Sequence, residues 1–80
     1  MVILKKIKVE ENKITYSYSP EGGKKIGILS YYPKEDKCVV EKESGYIYED
    51  LGVHRGHAFN KMKLMYKEKE FPEEVVVAWG

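Results

Sequence analysis

The sequence predicts an α+β fold, in which a four-stranded antiparallel meander sheet is covered by one helix. Segments of alternating apolar and polar residues fill the range 2–43, and turn-forming residues separate them at nearly regular intervals. From His57 the apolar residues recur at helical spacing instead. An apolar run at 75–79 then follows a proline. The length of 80 residues suits a single domain, 1–80.

Four segments carry the strand pattern. The clearest has Ile14, Tyr16 and Tyr18 on one face, with hydroxyl side chains between them. Gly27 lies inside the third segment, where a glycine indicates a bulge or close packing against a neighbouring strand. Proline, glycine and asparagine in the intervening turns favour hairpins, so consecutive strands are expected to pair. The predicted strands are residues 2–9, 14–19, 24–32 and 37–43.

The predicted helix covers residues 57–69 and packs across one face of the sheet. Gly52 and Gly56 argue against an earlier start, since glycine costs about 1 kcal/mol relative to alanine inside a helix. Residues 75–79 are predicted to form either a strand or a short helix. Three valines and a tryptophan favour the strand, which is the preferred interpretation. Pro72 and the two acidic residues after it would suit a first helical turn.

The charge balance argues against a nucleic-acid binder. Lysine and arginine total 14 against 13 acidic residues, which gives a net charge of +1. Arg55 is the sole arginine, although arginine is the residue best suited to reading guanine and phosphate. A nucleic-acid-binding domain would also show an excess of positive charge. The sequence therefore disfavours nucleic acid as a partner.

Cysteine usage and hydropathy favour a soluble protein of the cytoplasm. Cys38 has no second cysteine to pair with, and in an apolar strand it is expected to be a buried, unreactive thiol. Lys5 and Lys6 interrupt the first apolar residues, so no signal peptide is predicted. No apolar run reaches the roughly 20 residues of a membrane span. The lysine, glutamate, isoleucine and tyrosine content is typical of an AT-rich bacterial genome.

One cluster of residues has the side chains for ligand chemistry: Glu49, Asp50, His54, Arg55 and His57. The two histidines beside a carboxylate suggest a divalent metal, for which Asp50 would be the third ligand. Alternatively, Gly56 and the free N–H groups of the helix start would bind an anion, with Arg55 and His57 adding charge. The preferred interpretation is structural. In it His57 caps the helix, while His54 and Arg55 are solvated loop residues.

Tyrosine accounts for 7 of the 80 residues and allows two interpretations. Tyr16 and Tyr18 would stack on bases if their face were open to a single-stranded nucleic acid. The preferred interpretation places that face beneath the helix, because Ile14 shares it and the chain is nearly neutral. Four further tyrosines are expected in loops and at strand ends, as exposed anchors for a protein partner. They are Tyr31, Tyr32, Tyr46 and Tyr48.

Several short motifs resemble a family of small bacterial proteins. The motifs are Tyr16 to Gly22, Gly56 to Phe59, Phe71 to Glu74, and Ala78-Trp79. They are spread over nearly the whole chain. The family has no assigned activity, so the resemblance implies a compact accessory protein and adds no catalytic residue.

The sequence as a whole predicts a non-enzymatic accessory protein, comparable to an immunity protein. It is expected to bind a partner protein through a sheet edge and exposed tyrosines. An enzyme is the less favoured hypothesis, since no nucleophile motif or phosphate loop is present, and no cofactor or membrane partner is expected. The alternatives are a metal- or anion-binding domain at His54–His57 and a nucleic-acid binder using Tyr16 and Tyr18. A homodimer fits this length as well as a monomer.

Overall fold

The computed structural model describes residues 1–48 and 52–79. Within these residues the chain forms five strands and one helix. The elements are β1 (Val2–Glu10), β2 (Lys13–Pro20), β3 (Gly27–Tyr32), β4 (Lys37–Lys42), α1 (Val53–Glu68) and β5 (Glu74–Val77). The strands form one antiparallel sheet in the order β4-β3-β2-β1-β5, with α1 packed on one face. The α+β fold, the meander and the C-terminal strand are thus confirmed.

The helix begins one turn earlier than the sequence predicts, at Val53 instead of His57. Gly52 precedes it with φ of 65°, a left-handed conformation that glycine adopts without strain. Gly56 lies inside the helix, and its N–H donates to the carbonyl oxygen of Gly52 at 2.8 Å. Its helical propensity is poor, but the extra turn buries His54 against the sheet end. Tertiary packing therefore outweighs the propensity of Gly56.

The core lies between α1 and the sheet. On the helix face of the sheet, Ile14, Tyr16 and Tyr18 are buried, as predicted. These rings have no exposed surface on which a base could stack, which agrees with the preferred interpretation and leaves the nucleic-acid alternative without its stacking face. The buried apolar residues are Val2, Leu4, Ile14, Tyr16, Tyr18, Leu29, Tyr31, Ala58, Met62 and Met65.

Two buried tyrosine hydroxyls fasten the flanking segments to the sheet. The Tyr16 hydroxyl donates to the carbonyl oxygen of Pro72 at 2.8 Å, just before β5. The Tyr18 hydroxyl accepts the N–H of Ser44 at 3.0 Å, just after β4. A buried hydroxyl left without a partner would cost about 1–3 kcal/mol, so each bond fixes the segment that it contacts.

Gly27 begins β3 at a point where the backbone of β4 comes unusually close. A Cβ atom built there would collide with the Tyr18 ring, and would lie only 2.5 Å from the carbonyl oxygen of Lys42 and 2.7 Å from the nitrogen of Ser44. The close packing predicted for this glycine is confirmed. The strand predicted from residue 24 starts only at Gly27, and the exposed residues 24–26 are not paired in the sheet.

Cys38 is exposed, which corrects the prediction of a buried thiol. It lies near the start of β4, opposite Tyr31, and β4 is an edge strand that α1 hardly contacts. Partial desolvation still raises the pKa of the Cys38 thiol. The sequence shows that this segment is a strand, but it does not show that the strand lies at the edge.

Among the residues described, no helix has the length and apolar character that crossing a membrane requires.

A pair of glycine substitutions tests this packing. Gly27→Ala is expected to lower the free energy of unfolding by about 1–3 kcal/mol, because the new methyl group meets backbone atoms that have no room to move. Gly56→Ala is the matched control. The space at its Cβ position is open, so we expect a gain of about 0.4–1 kcal/mol. Urea unfolding measures both, and a Gly27→Ala protein as stable as the wild type would contradict the close approach.

Candidate functional site

Five ring side chains meet at the end of the sheet where α1 begins. We call them the aromatic cluster: Tyr46, Tyr48, His54, His57 and Trp79. Ring centroids lie 5.5 Å apart for Tyr46–Tyr48, 5.2 Å for Tyr46–His54 and 5.3 Å for His54–Trp79, all edge to face. His57 stacks on Trp79 at 4.0 Å. The cluster therefore joins the loop after β4, the start of α1 and Trp79, which lies two residues beyond β5.

His54 is a buried anchor within this cluster and is 7% exposed. Its Nε2 lies 2.7 Å from Oε2 of Glu21, which also accepts a bond from the amino group of Met1 at 2.9 Å. That amino group, and next the His54 ring, hold the pKa of Glu21 below its ordinary value. An ionised carboxylate only accepts hydrogen bonds, so the imidazole donates. The prediction that His54 is a solvated loop residue is wrong.

His57 and Arg55 also differ from the predicted roles. His57 lies in the second turn of α1 and stacks on Trp79, so it does not cap the helix. Arg55 lies in the first turn, where its guanidinium forms an ion pair with Glu43. Because the N–H of Gly56 is bonded within the helix, it is not available to an anion. The anion-binding alternative at Arg55, Gly56 and His57 therefore loses the N–H of Gly56 as a donor.

The residues that the structure describes include no set of side chains arranged to bind a metal ion. Across residues 1–48 and 52–79, no three or more histidine, cysteine, aspartate or glutamate side chains are arranged to hold a metal ion. Nε2 of His54 is bonded to Glu21, and the ring of His57 is stacked face to face on Trp79. Asp50, the predicted third ligand, lies outside the described residues. The two histidines are thus brought together by ring packing.

The four predicted contact tyrosines differ widely in exposure. Tyr31 is buried and its hydroxyl donates to Asp36 at 2.8 Å, so its assignment as an exposed anchor is wrong. Tyr32 and Tyr46 are half-buried. Tyr48 is 73% exposed and is the one of the four that presents most of its ring to solvent.

Ile47, which the sequence reasoning missed, is 71% exposed beside Tyr48. We call Ile47 and Tyr48 the loop tip. The sequence does contain a signal for this exposed apolar residue. Ile47 lies between two tyrosines just after Ser44-Gly45, where the strand pattern ends. Within the loop tip, the ring of Tyr48 packs on the half-buried ring of Tyr46, which in turn packs on His54.

The two edges of the sheet carry different side chains. The β4 edge bears Lys37, Glu41 and Lys42, and its pairing with β3 contains an irregularity. Charges and bulges are the usual protection of an exposed edge against pairing with another chain. The β5 edge has valines at 75–77, and Val76 is 57% exposed. Glu74 is the one charged residue of β5. The β5 edge is therefore the less protected of the two.

The β5 edge and the loop tip belong to one end of the molecule, because the rings from Tyr48 to Trp79 form a continuous series and Trp79 lies just beyond β5. We call the two together the contact surface. Aromatic packing beneath an exposed apolar tip, linked through the ring series to an unpaired strand edge, is suited to recognising another polypeptide.

No protein-family model matches this chain, and no curated protein or solved structure is detectably similar to it.

The Tyr31–Asp36 bond predicts a change in stability at alkaline pH. This bond, together with burial, raises the pKa of Tyr31 from 10.0 to about 12. A folded-state pKa above the unfolded value contributes stability that is fully present below pH 10 and is lost as the pH rises toward about 12. We expect Tyr31→Phe to remove this loss from the alkaline part of the profile, measured by urea unfolding at a series of pH values.

Asp36→Asn is the companion variant, since asparagine tolerates the left-handed backbone that residue 36 adopts, with φ of 48°. It should make the alkaline loss of stability smaller and complete it at a lower pH, because a neutral amide favours the protonated phenol less than the carboxylate does. Identical alkaline profiles for the wild type and both variants would show that Tyr31 titrates like a free tyrosine.

Proposed function

We propose that the protein is a small, non-enzymatic accessory protein, of the immunity-protein kind, that binds a partner protein through the contact surface. The observation that carries the proposal is the loop tip. Ile47 and Tyr48 have the largest exposed fractions among the large apolar residues described, 71% and 73%, and they are adjacent. Such side chains are usually buried in a complex when they are not buried in the fold.

The packing beneath the loop tip supports a binding role over accidental exposure. Tyr48 packs edge to face on Tyr46, and Tyr46 packs in the same way on the buried ring of His54. A side chain that is held before binding loses less conformational entropy when the complex forms. Tyrosine also combines a large apolar surface with a hydroxyl, which makes it a frequent anchor residue in interfaces.

The β5 edge adds backbone groups to the same surface. An unpaired strand edge offers N–H and carbonyl groups to an extended segment of another chain, and pockets for alternate side chains then give specificity. Glu74 is the one charged residue of β5, and Val76 is exposed. This composition favours an apolar, extended segment as the occupant of this edge.

A bacterial, cytoplasmic setting is part of the proposal. It is supported by the lysine- and glutamate-rich composition and by the free thiol of Cys38, which suits a reducing compartment. No observation favours the metal-binding or nucleic-acid alternatives over the protein-binding one. Tyr16 and Tyr18 are buried, and the described histidines are engaged with Glu21 and Trp79.

A comparison of two double variants tests the proposal. Ile47→Ser with Tyr48→Ser removes the apolar loop tip, whereas Ile26→Ser with Leu64→Ser removes two exposed apolar residues elsewhere. Each tagged protein is used for affinity capture, and a protein that the wild type enriches is then purified and titrated by calorimetry. The loop-tip variant is expected to weaken the affinity at least about 30-fold, the loss of roughly 2 kcal/mol typical of an anchor residue. The control should keep wild-type affinity.

Circular dichroism establishes first that both variants are folded. If the purified partner binds the loop-tip variant as tightly as the wild type, the loop tip is not the recognition element and the proposal fails.

A further inference from the structure

We propose that the β5 edge pairs with β5 of a second copy of this chain, antiparallel, about a two-fold axis at Val76. The result would be a continuous sheet through both copies, with a loop tip on each. This inference rests on the proposed role of the β5 edge as a contact strand. It assigns that edge to a second copy and leaves the two loop tips to the partner protein.

The hydrogen bonding of β5 to β1 determines which backbone groups remain for a second copy. The N–H of Lys6 donates to the carbonyl oxygen of Glu73 at 2.9 Å. The register continues with Leu4 opposite Val75. Because the bonded pairs of an antiparallel ladder alternate, residues 73, 75 and 77 bond inward to β1. The N–H and carbonyl groups of residues 74, 76 and 78 therefore point out of the edge.

A two-fold axis at Val76 uses all of these outward groups. Val76 of each copy forms a bonded pair with Val76 of the other, and Glu74 of each copy lies opposite Ala78 of the other. An axis at position 75 or 77 would instead place a non-bonded pair at its centre, with bonded pairs only on either side of it. The axis at Val76 also keeps the two Glu74 carboxylates apart, which avoids a like-charge pair.

On both faces of the sheet, apolar side chains would neighbour one another across this axis. On the face away from the helix, Ile3 is the neighbour of Val76, so the row reads isoleucine, valine, valine, isoleucine through the two copies. On the helix face, Leu4 neighbours Val75 and Val2 neighbours Val77. Because Val75 lies opposite Val77 of the second copy, that row is leucine, valine, valine, valine. Both rows are apolar throughout, and such cross-strand pairs stabilise a sheet.

The opposite edge of the sheet does not offer the same fit. β4 presents Lys37, Glu41 and Lys42, and an irregular pairing near its end interrupts the regular spacing. Charged side chains and bulges of this kind discourage edge-to-edge association. Pairing through β5 on both copies closes the assembly as a dimer and leaves the charged β4 edges outermost.

Cysteine cross-linking tests the register directly. In a Cys38→Ser background, Val76→Cys would place the two thiols on a bonded pair whose Cα atoms are about 5.5 Å apart. This separation lies within the range of about 4.4–6.8 Å that disulfides require. We expect rapid dimer formation under mild oxidation at low protein concentration. Leu64→Cys in the same background, on the exposed side of α1, is the control and should cross-link only slowly.

A mixed experiment checks the position of the axis. Glu74→Cys and Ala78→Cys proteins, each in the Cys38→Ser background, should form a heterodimeric disulfide faster than either forms a homodimer. Equal rates for all combinations, or a Val76→Cys rate no faster than that of Leu64→Cys, would overturn the proposed pairing.

Sedimentation velocity over a range of concentrations tests the association itself. Val76→Lys would oppose two ammonium groups at the axis and should raise the dimer dissociation constant more than about tenfold. Leu64→Lys is the control and should leave it unchanged. A wild-type protein that stays monomeric up to millimolar concentration would overturn the inference. If Val76→Lys does not fold, the cross-linking rates decide the question.

The two proposals fail in different ways. Loss of the dimer with intact loop-tip binding would remove this inference alone, because the partner would still be held by Ile47 and Tyr48. An intact dimer whose loop-tip variants bind a purified partner normally would remove the proposed function alone.

Discussion

The fold depends on the need of two buried tyrosine hydroxyls for hydrogen-bond partners. Tyr16 and Tyr18 fill the core beneath α1, yet each hydroxyl reaches the backbone of a different connecting segment. The Tyr16 hydroxyl bonds to Pro72, two residues before β5. The Tyr18 hydroxyl bonds to Ser44, three residues before the loop tip. Since an unpaired buried hydroxyl costs about 1–3 kcal/mol, both parts of the contact surface are fixed by the same strand.

The sheet was largely predictable because its signal is local. Period-two alternation in β2 identified the strand, and Ile14 identified its buried face. The start of α1 was not predictable, because the stability of its first turn comes from the packing of His54 against Tyr46 and Trp79, which are distant in sequence. The exposure of Cys38 was missed for a related reason, since only the strand order shows that β4 is an edge.

The sequence drew attention to His54 and His57, but it could not show what their rings contact. The spacing of His54 and His57 suggested metal ligands, but Trp79 lies against both rings and makes them part of the aromatic cluster. The four tyrosines predicted as partner contacts were all expected to be exposed, although Tyr31 is buried and Tyr48 is exposed. Burial of a tyrosine in a strand is decided by the position of the helix, which periodicity does not give.

Amide hydrogen exchange of β5 at two protein concentrations tests the central claim, that this strand is a contact edge. The register directs the backbone N–H and carbonyl groups of Val75 and Val77 toward β1. It directs those of Val76 out of the sheet edge. We expect the amides of Val75 and Val77 to be protected at both concentrations. The amide of Val76 should exchange freely in dilute solution and slowly in concentrated solution. A Val76 amide that exchanges freely at every concentration, while its neighbours stay protected, would contradict the claim.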